Sequence, residues 1–139
     1  IYTEENTLSL HDALPISSDA KKVAQTVANS SLVKSSWNGE DPNWGRIIHA
    51  VGYSGASIRE EFVDIYYESK AACKGGLQAK TNPEVLRNIV SKPEFKITID
   101  LGIGKANHRI YSSDLSPEYV DFNRSEYAYW KQAKKDGLL

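Results

Sequence analysis

The chain has little cysteine, no methionine and almost no excess charge. Of its 139 residues one is cysteine, and the formal net charge is −1. A single cysteine excludes an internal disulfide framework and a cysteine-rich metal site, and it suits a reducing compartment such as the cytoplasm. The balanced charge offers no basic field for nucleic acid or for an anionic membrane. We interpret Cys73 as a small buried hydrophobic residue.

What the chain does have is the composition of a globular domain, with 40% hydrophobic and 25% charged residues. The spacing of apolar residues predicts helices and strands that mix without a strict βαβ period, which indicates a mixed α/β or α+β fold. The predicted helices are 19–29, 42–50 begun by Asp41-Pro42, one begun by Asn82-Pro83, one begun by Ser116-Pro117, and one at the C-terminus. The predicted strands are 32–37, 62–69 with a hairpin partner before Gly75, 95–101, and an antiparallel neighbour of that strand from 106 onward.

The first sixteen residues, IYTEENTLSLHDALPI, stand apart from this pattern. They contain no lysine or arginine and only a weak apolar stretch, so they are not a signal peptide. Thr7 to Ile16 resembles one reading frame of the constant part of a sequencing adapter. We therefore predict that residues 1–16 are a non-native artefact and set them aside in predicting the fold.

Residue chemistry alone supplies no mechanism. His49 and His108 have no second ligand at helical spacing, so we interpret them as surface or core histidines and predict no metal site. The glycines of LGIGK, Leu101 to Lys105, lack a following helix, so we interpret them as a β-turn instead of a phosphate loop. No serine lies in a nucleophile motif.

Two longer blocks carry a family resemblance. ANSSLVKSSWNGEDPNWGRIIHAVGYSGA, Ala28 to Ala56, and EFKITIDLGIGKANHRIYSSDLSPEYVDFN, Glu94 to Asn123, resemble in order and spacing the signature blocks of the ornithine/glutamate N-acetyltransferases of arginine biosynthesis. The resemblance covers residues 19–123.

The resemblance implies an enzyme that moves an acetyl group from N-acetylornithine to glutamate, with acetyl-CoA as a further donor in bifunctional members and no bound cofactor. Its implied nucleophile is a threonine freed at a new N-terminus by self-cleavage, because a hydroxyl needs an adjacent base such as that amine. The implied fold is a mixed sheet with flanking helices in a cytoplasmic protein. The implied partners are the α-chain of the same precursor and a second αβ unit.

The catalytic parts of that family are not expected within this chain. Three threonines outside the first sixteen residues, Thr26, Thr81 and Thr98, stand in no self-cleavage motif. We therefore predict a C-terminal fragment of the β-chain that contains no catalytic residue and is inactive alone. By position, the resemblance assigns substrate contact to Asn123, with Ser125 as a second candidate. Five motif residues are expected to have structural roles: Glu40, Asp41, Asn43, Trp44 and Arg46. For Arg46 that role is a buried pair with a carboxylate.

The predicted organisation is the artefact at 1–16, the acetyltransferase β-chain domain at 17–124 and a helical extension at 125–139. Two alternatives stay open. In the first, the chain is a non-catalytic binding or assembly module that uses the aromatic residues from Tyr127 to Trp130. In the second, it belongs to a related aminopeptidase-like hydrolase with the same kind of N-terminal nucleophile.

Overall fold

The computed structural model describes residues 6–13 and 17–138. In these ranges five α-helices accompany one six-stranded sheet. The helices are α1 (Ser17–Asn29), α2 (Ser31–Asn38), α3 (Trp44–Gly52), α4 (Pro83–Val90) and α5 (Pro117–Lys135). The strands are β1 (Asn6–Ala13), β2 (Asp64–Tyr67), β3 (Lys70–Lys74), β4 (Leu77–Gln78), β5 (Lys96–Ile103) and β6 (Ala106–Ser112), and a short 3₁₀ turn spans Glu60–Phe62.

The sheet is mixed, with the strand order β4-β3-β2-β5-β1-β6. β1 runs parallel to β5, with Leu8 opposite Ile97, and antiparallel to β6, with Leu8 opposite Ile110. The predicted fold class, a mixed α/β arrangement with flanking helices, is confirmed. The predicted pairing of the last two strands is wrong, because β1 lies between them.

The strand β1 falls inside the segment that we had set aside. Its place in the sheet comes from ladder hydrogen bonds, which are made by backbone atoms. Backbone pairing by itself does not show whether the segment is native. The artefactual origin of residues 1–16 therefore stays a prediction, and residues 1–5 and 14–16 lie outside the described part of the chain.

The core lies between one face of the sheet and the helices. On β5 the residues Ile97, Ile99 and Leu101 are buried and alternate with half-exposed neighbours, as the sequence predicted. α1 contributes Val23 and Val27 to the same core and packs against β1, β6 and α3. This burial holds α2 and α3, with the turn that joins them, against the sheet.

The sequence predicted a strand at 32–37, where the structure has α2. Ser30 caps this helix, because its hydroxyl oxygen accepts a hydrogen bond from the Val33 amide. Val33 and Trp37 lie four residues apart and are both buried, which is the spacing of one helix face. The run Leu32–Trp37 fits both the period of a strand and the period of a helix, and the burial of Val33 and Trp37 in the core favours the helix.

Helix boundaries differ from the prediction at two places. α3 begins at Trp44 with Asn43 as its cap, so the cap is not the predicted Asp41. The two helices predicted near the C-terminus are one continuous helix, α5, capped by Ser116 with Pro117 in its first turn. None of the helices in residues 17–138 combines the length and apolar character needed to cross a membrane.

Candidate functional site

The turn between α2 and α3, Gly39 to Asn43, is fixed mainly by its own backbone. The amide of Asp41 donates to the carbonyl oxygen of Ser36 across 2.8 Å, and the amide of Glu40 donates to that of Trp37 across 3.0 Å. Glu40 has a φ of 51°, in the left-handed region that favours glycine. A non-glycine residue held there costs about 1–2 kcal/mol, and such strain concentrates at functional sites.

Asn43 organises the second half of the turn. Its side-chain oxygen accepts from the backbone amide of Arg46 across 3.1 Å, which caps α3. Its side-chain amide donates to a carboxylate oxygen of Asp41 across 2.9 Å, which fixes the orientation of that carboxylate. Trp44 is half-buried against the core. Asp41 and Asn43 thus take part in the hydrogen bonds of the turn, and Trp44 packs against the core.

Arg46 has a structural contact of a different kind from the one expected. Its guanidinium donates to the carbonyl oxygen of Leu32 across 2.7 Å and to the hydroxyl of Ser35 across 3.2 Å. No ion pair of Arg46 with a carboxylate occurs among the described residues. The expected carboxylate partner was wrong. The sequence predicted a strand where α2 lies, whereas the helix places the carbonyl oxygen of Leu32 next to the Arg46 guanidinium.

A cavity of about 450 Å³ lies beside this turn. One wall is the turn itself, with Glu40, Asp41 and Trp44. The opposite wall comes from α4 and the segment before it, including Glu84 and Arg87. Leu86 and Ala72 give it an apolar floor, and both are buried. The cavity therefore combines three carboxylates and one guanidinium over an apolar base.

Two neutral hydroxyl groups lie near the carboxylates of this turn. The hydroxyl of Ser91, which follows α4, donates to a carboxylate oxygen of Glu40 across 3.0 Å and so ties the turn to α4. The buried phenol of Tyr67 lies near Asp41. Burial raises the pKa of Tyr67 well above its usual value, and the negative charge of Asp41 raises it further. The phenol therefore stays protonated.

The predicted substrate contacts Asn123 and Ser125 lie elsewhere, on the exposed helix α5. The Asn123 amide donates to the carbonyl oxygen of Tyr119 across 3.1 Å, and the Ser125 hydroxyl donates to that of Asp121 across 3.0 Å. Both side chains line a shallow groove along α5 with Phe122, Tyr127 and Trp130. The structure does not bring them into the wall of the cavity beside Glu40.

The start of α5 is nevertheless tied to the end of α2. Asn38 donates to a carboxylate oxygen of Asp114 across 2.8 Å, and the amide of Leu115 donates to the carbonyl oxygen of Lys34 across 3.2 Å. Asn38 directly precedes the turn. The segment that begins α5 is thus anchored beside the turn that forms the cavity.

The other residues singled out in the sequence are dispersed. His49 is exposed on α3 with its ring edge-to-face against Tyr53, and His108 lies half-buried on β6. Thr26 and Thr98 lie on α1 and β5, whereas Thr81 is in the cavity wall. Within the described part of the chain, no three histidine, cysteine, aspartate or glutamate side chains converge as metal ligands would.

Comparison with known proteins decides the family. The model of the ArgJ family matches residues 10–128. The chain belongs to the ArgJ family. It is 44% identical over 107 residues to the arginine biosynthesis bifunctional protein ArgJ of Chlorobaculum tepidum, a match that covers 77% of this chain and 26% of that protein. It is 42% identical over 117 residues to the glutamate N-acetyltransferase of Methanocaldococcus jannaschii, covering 78% and 29%.

A solved ArgJ structure has the same fold. The crystal structure of arginine biosynthesis bifunctional protein ArgJ from Bacillus halodurans superposes with a TM-score of 0.83 at 30% identity, covering 88% of this chain and 58% of that chain. This ArgJ-family chain spans about a quarter of the length of the curated relatives it matches.

Sequence reasoning missed the α4 side of the cavity. Glu84 and Arg87 lie one turn apart on α4 and both face the cavity. In the sequence they are ordinary polar residues of an amphipathic helix, because the apolar stripe of α4 accounts for its pattern without them. The link from Ser91 to Glu40 crosses 51 positions of the chain, so no local pattern contains it.

Proposed function

We propose that this chain is part of an acetyltransferase of arginine biosynthesis, and that the cavity between the Gly39–Asn43 turn and α4 holds the amino-acid end of its substrate. The supporting observation is the charge of the cavity. It offers one guanidinium, at Arg87, and three carboxylates, at Glu40, Asp41 and Glu84. Arginine pairs with a carboxylate in two-pronged fashion, and carboxylates accept from an ammonium group.

This charge set favours ornithine-type ligands over glutamate. N-acetylornithine carries one carboxylate and one free ammonium, and ornithine carries one carboxylate and two ammonium groups. Either complements a cavity with more negative than positive groups, whereas glutamate adds two carboxylates and meets repulsion. We therefore propose that the cavity binds the donor N-acetylornithine and its product ornithine.

In the proposed reaction the hydroxyl of an N-terminal threonine attacks the acetyl carbonyl of N-acetylornithine. Ornithine leaves with a proton on its α-nitrogen, and the amine of glutamate then takes the acetyl group from the threonine. That threonine, the α-chain and a second αβ unit belong to the rest of the proposed cytoplasmic enzyme, as does any use of acetyl-CoA. This chain contributes binding and orientation.

Asn123 and Ser125 enter the proposal as contacts to a second part of the substrate. Their helix begins beside the turn, through the Asn38–Asp114 contact. The hydroxyl hydrogen of Ser125 and one of the two amide hydrogens of Asn123 are used within α5, so both side-chain oxygen atoms remain to accept from an ammonium and one Asn123 N–H remains to donate. We expect titration calorimetry to show that Asn123→Ala loses ornithine binding, whereas Gln132→Ala binds ornithine as the wild type does.

The main test is binding of ornithine, N-acetylornithine and glutamate to the 139-residue chain, followed by NMR chemical-shift changes of backbone amides. We expect ornithine to shift the amides of the turn and of α4, with glutamate binding at least about tenfold more weakly. Glu40→Gln and Arg87→Gln are each expected to weaken ornithine binding about tenfold.

Two matched variants control this test. Glu68→Gln changes another non-glycine residue with positive φ, and Arg59→Gln changes an exposed arginine paired with Glu61. Neither lines the cavity, and neither is expected to alter binding. Shifts that avoid the turn and α4 would show that the cavity is not the site. Acetyl transfer by the purified chain alone would refute its assignment as a non-catalytic part.

A specific observation also keeps the binding-module alternative in view. Tyr127 and Trp130 stack on the exposed face of α5, with ring centroids 6.1 Å apart. If the chain binds no amino acid, the acetyltransferase proposal loses its support. If it also releases no N-terminal residue from peptides, the aminopeptidase-like alternative loses its support as well, and the binding module remains.

A further inference from the structure

Asn38 and Gly39, where α2 meets the following turn, form a chemically labile pair. The chain has eight asparagines, and Asn38 is the one that is followed by glycine. The side-chain carbonyl carbon of an asparagine is open to attack by the backbone nitrogen of the next residue, and glycine hinders that approach least because it has no Cβ. Both residues are exposed, so water reaches them. The pair thus has the sequence and the accessibility of a deamidation site.

The fold holds this pair in an unreactive arrangement. Asn38 is the last residue of α2, and its side-chain amide donates to Asp114 across 2.8 Å. The backbone N–H of Gly39 donates to the carbonyl oxygen of Ser35 across 3.1 Å. Attack requires the Gly39 nitrogen to give up that bond and to turn toward Cγ of Asn38, so the last turn of α2 must open first. Local opening of a helix end needs less free energy than unfolding of the whole chain.

We propose that Asn38 is a site of spontaneous deamidation, that opening of the last turn of α2 limits its rate, and that the reaction loosens the start of α5. Hydroxide removes the proton of the Gly39 nitrogen, which then forms a bond to Cγ of Asn38. The bond between Cγ and Nδ2 breaks, and the nitrogen leaves as ammonia with a proton from water, which restores the hydroxide. A second water opens the resulting imide ring at either of its carbonyl carbons, so position 38 becomes an aspartate or an isoaspartate.

The product cannot keep the contact with Asp114. The amide donor becomes a carboxylate, which has no N–H and carries the same charge as Asp114, so the two groups repel each other. An isoaspartate also lengthens the main chain between α2 and the turn by one methylene. The bond from the Leu115 amide to the carbonyl oxygen of Lys34, across 3.2 Å, is then left to hold the start of α5 to α2.

The first test follows deamidation by mass spectrometry of peptides from the full 139-residue chain, after incubation at mildly alkaline pH. We expect Asn38 to convert faster than the other asparagines of the folded chain, and at least about tenfold more slowly than in the chain unfolded by urea. Asp114→Ala frees the Asn38 side chain and is expected to speed the reaction about fivefold. Asp121→Ala removes an exposed carboxylate elsewhere and is expected to leave the rate unaltered.

Gly39→Ala separates the chemistry from the fold. Gly39 has a φ of −79°, and the nearest atom to an added Cβ is 3.5 Å away, so alanine fits the structure. The methyl group hinders the attacking nitrogen, and we expect deamidation at Asn38 to slow at least about tenfold, both in the folded chain and in urea. Circular dichroism checks that each variant is folded.

The second test measures hydrogen exchange of the Leu115 amide by NMR. Asn38→Asp copies one product and is expected to raise the exchange rate at least about threefold. Asn38→Asp/Asp114→Asn exchanges the two side chains, restores an amide–carboxylate bond and is expected to return the rate to that of the wild type.

Three results would each overturn the proposal: no conversion of Asn38 in the folded chain, a rate that Asp114→Ala does not raise, or an exchange rate of Leu115 that Asn38→Asp leaves unchanged. Neither test involves amino-acid binding or acetyl transfer. Failure of this proposal is therefore distinguishable from failure of the proposed function.

Discussion

The guanidinium of Arg46 donates to the backbone carbonyl oxygen of Leu32, and this contact joins α3 to α2 on the far side of the turn that forms the cavity. A charged donor on a backbone carbonyl oxygen contributes more than a neutral one. The turn is thus held from both of its helices.

Replacing Arg46 should loosen that junction. Arg46→Ala is expected to lower the free energy of unfolding by about 1–2 kcal/mol, and Arg46→Lys by less, because one guanidinium nitrogen, Nη1, makes both contacts and an ammonium group can replace it. Urea denaturation measures the change. Arg59→Ala, which removes an exposed pair with Glu61, serves as control and is expected to change stability little.

The backbone strain at Glu40 predicts different stabilities for two small substitutions. Glu40→Ala and Glu40→Gly both remove the carboxylate, but only glycine relieves the cost of a φ of 51°. The glycine variant should therefore be more stable than the alanine variant by about 1 kcal/mol. Both should lose ornithine binding equally. Equal thermal stabilities of the two variants would mean that no strain is stored there.

Gly102 on β5 is expected to tolerate no side chain. It has a φ of 64°, and a Cβ placed there would lie 2.8 Å from the Cβ of Phe62 and 2.9 Å from its carbonyl oxygen. Gly102→Ala should cost about 3 kcal/mol, from left-handed strain plus the shift of the 3₁₀ turn. Gly137→Ala is the matched control, because its φ of 69° is similar and nothing lies within 4 Å. It should cost only about 1 kcal/mol.

Asp64 on β2 is expected to make the fold sensitive to acid. Burial acts to raise its pKa, but hydrogen bonds from Lys74, from the Gly75 amide and from the Tyr66 hydroxyl together hold the pKa below its usual value. A carboxyl with a lowered folded-state pKa stabilises the fold above its unfolded-state pKa, near 4, and this stabilisation is lost as the pH falls through the folded-state value.

Asp64→Asn should therefore flatten the dependence of unfolding free energy on pH below about 4, while lowering stability by about 1 kcal/mol at neutral pH. Denaturation at a series of pH values measures both effects. The same slope in wild type and variant would mean that Asp64 is not responsible.

The buried hydroxyl of Tyr67 predicts a substitution without cost. No hydrogen-bond partner for this hydroxyl occurs among the described residues, and a buried polar group without one is destabilising. Tyr67→Phe keeps the ring contact with Phe95 and should leave the unfolding free energy unchanged or raise it by about 1 kcal/mol. A clear loss in the melting temperature would reveal a partner, such as an ordered water.

The elements that the sequence predicted correctly are those with long periodic patterns. β5 alternates strictly from Phe95 to Leu101, and α4 combines the Asn82-Pro83 start with a clear apolar stripe. The second family block contains β5, and the first contains the turn. In β5 and α4 the local sequence pattern agrees with the burial in the fold, so each element could be predicted from its own stretch of sequence.

The errors occurred where distant contacts decide. The Leu32–Trp37 run is too short to separate a strand from a helix, and its helical form depends on burial of Trp37 against Phe95. One neighbour of β5 in the sheet is β1, which lies far from β5 in the sequence. The order of elements around β5 along the chain therefore could not predict this pairing. The left-handed conformation of Glu40 has no sequence signal at all, since glutamate does not favour it.

The position of β1 between β5 and β6, second from one edge of the sheet, affects how the chain folds. The pairing of Leu8 with Ile97 closes a long loop that contains every described helix except α5, and such closure is entropically costly before the contacts it permits are formed. The β2–β3–β4 meander and the helices have only short loops to close. These local parts should therefore assemble early, with insertion of β1 between β5 and β6 as the slow, late step. Until that step, the facing edges of β5 and β6 expose unpaired backbone groups, which makes this intermediate the species most prone to aggregate.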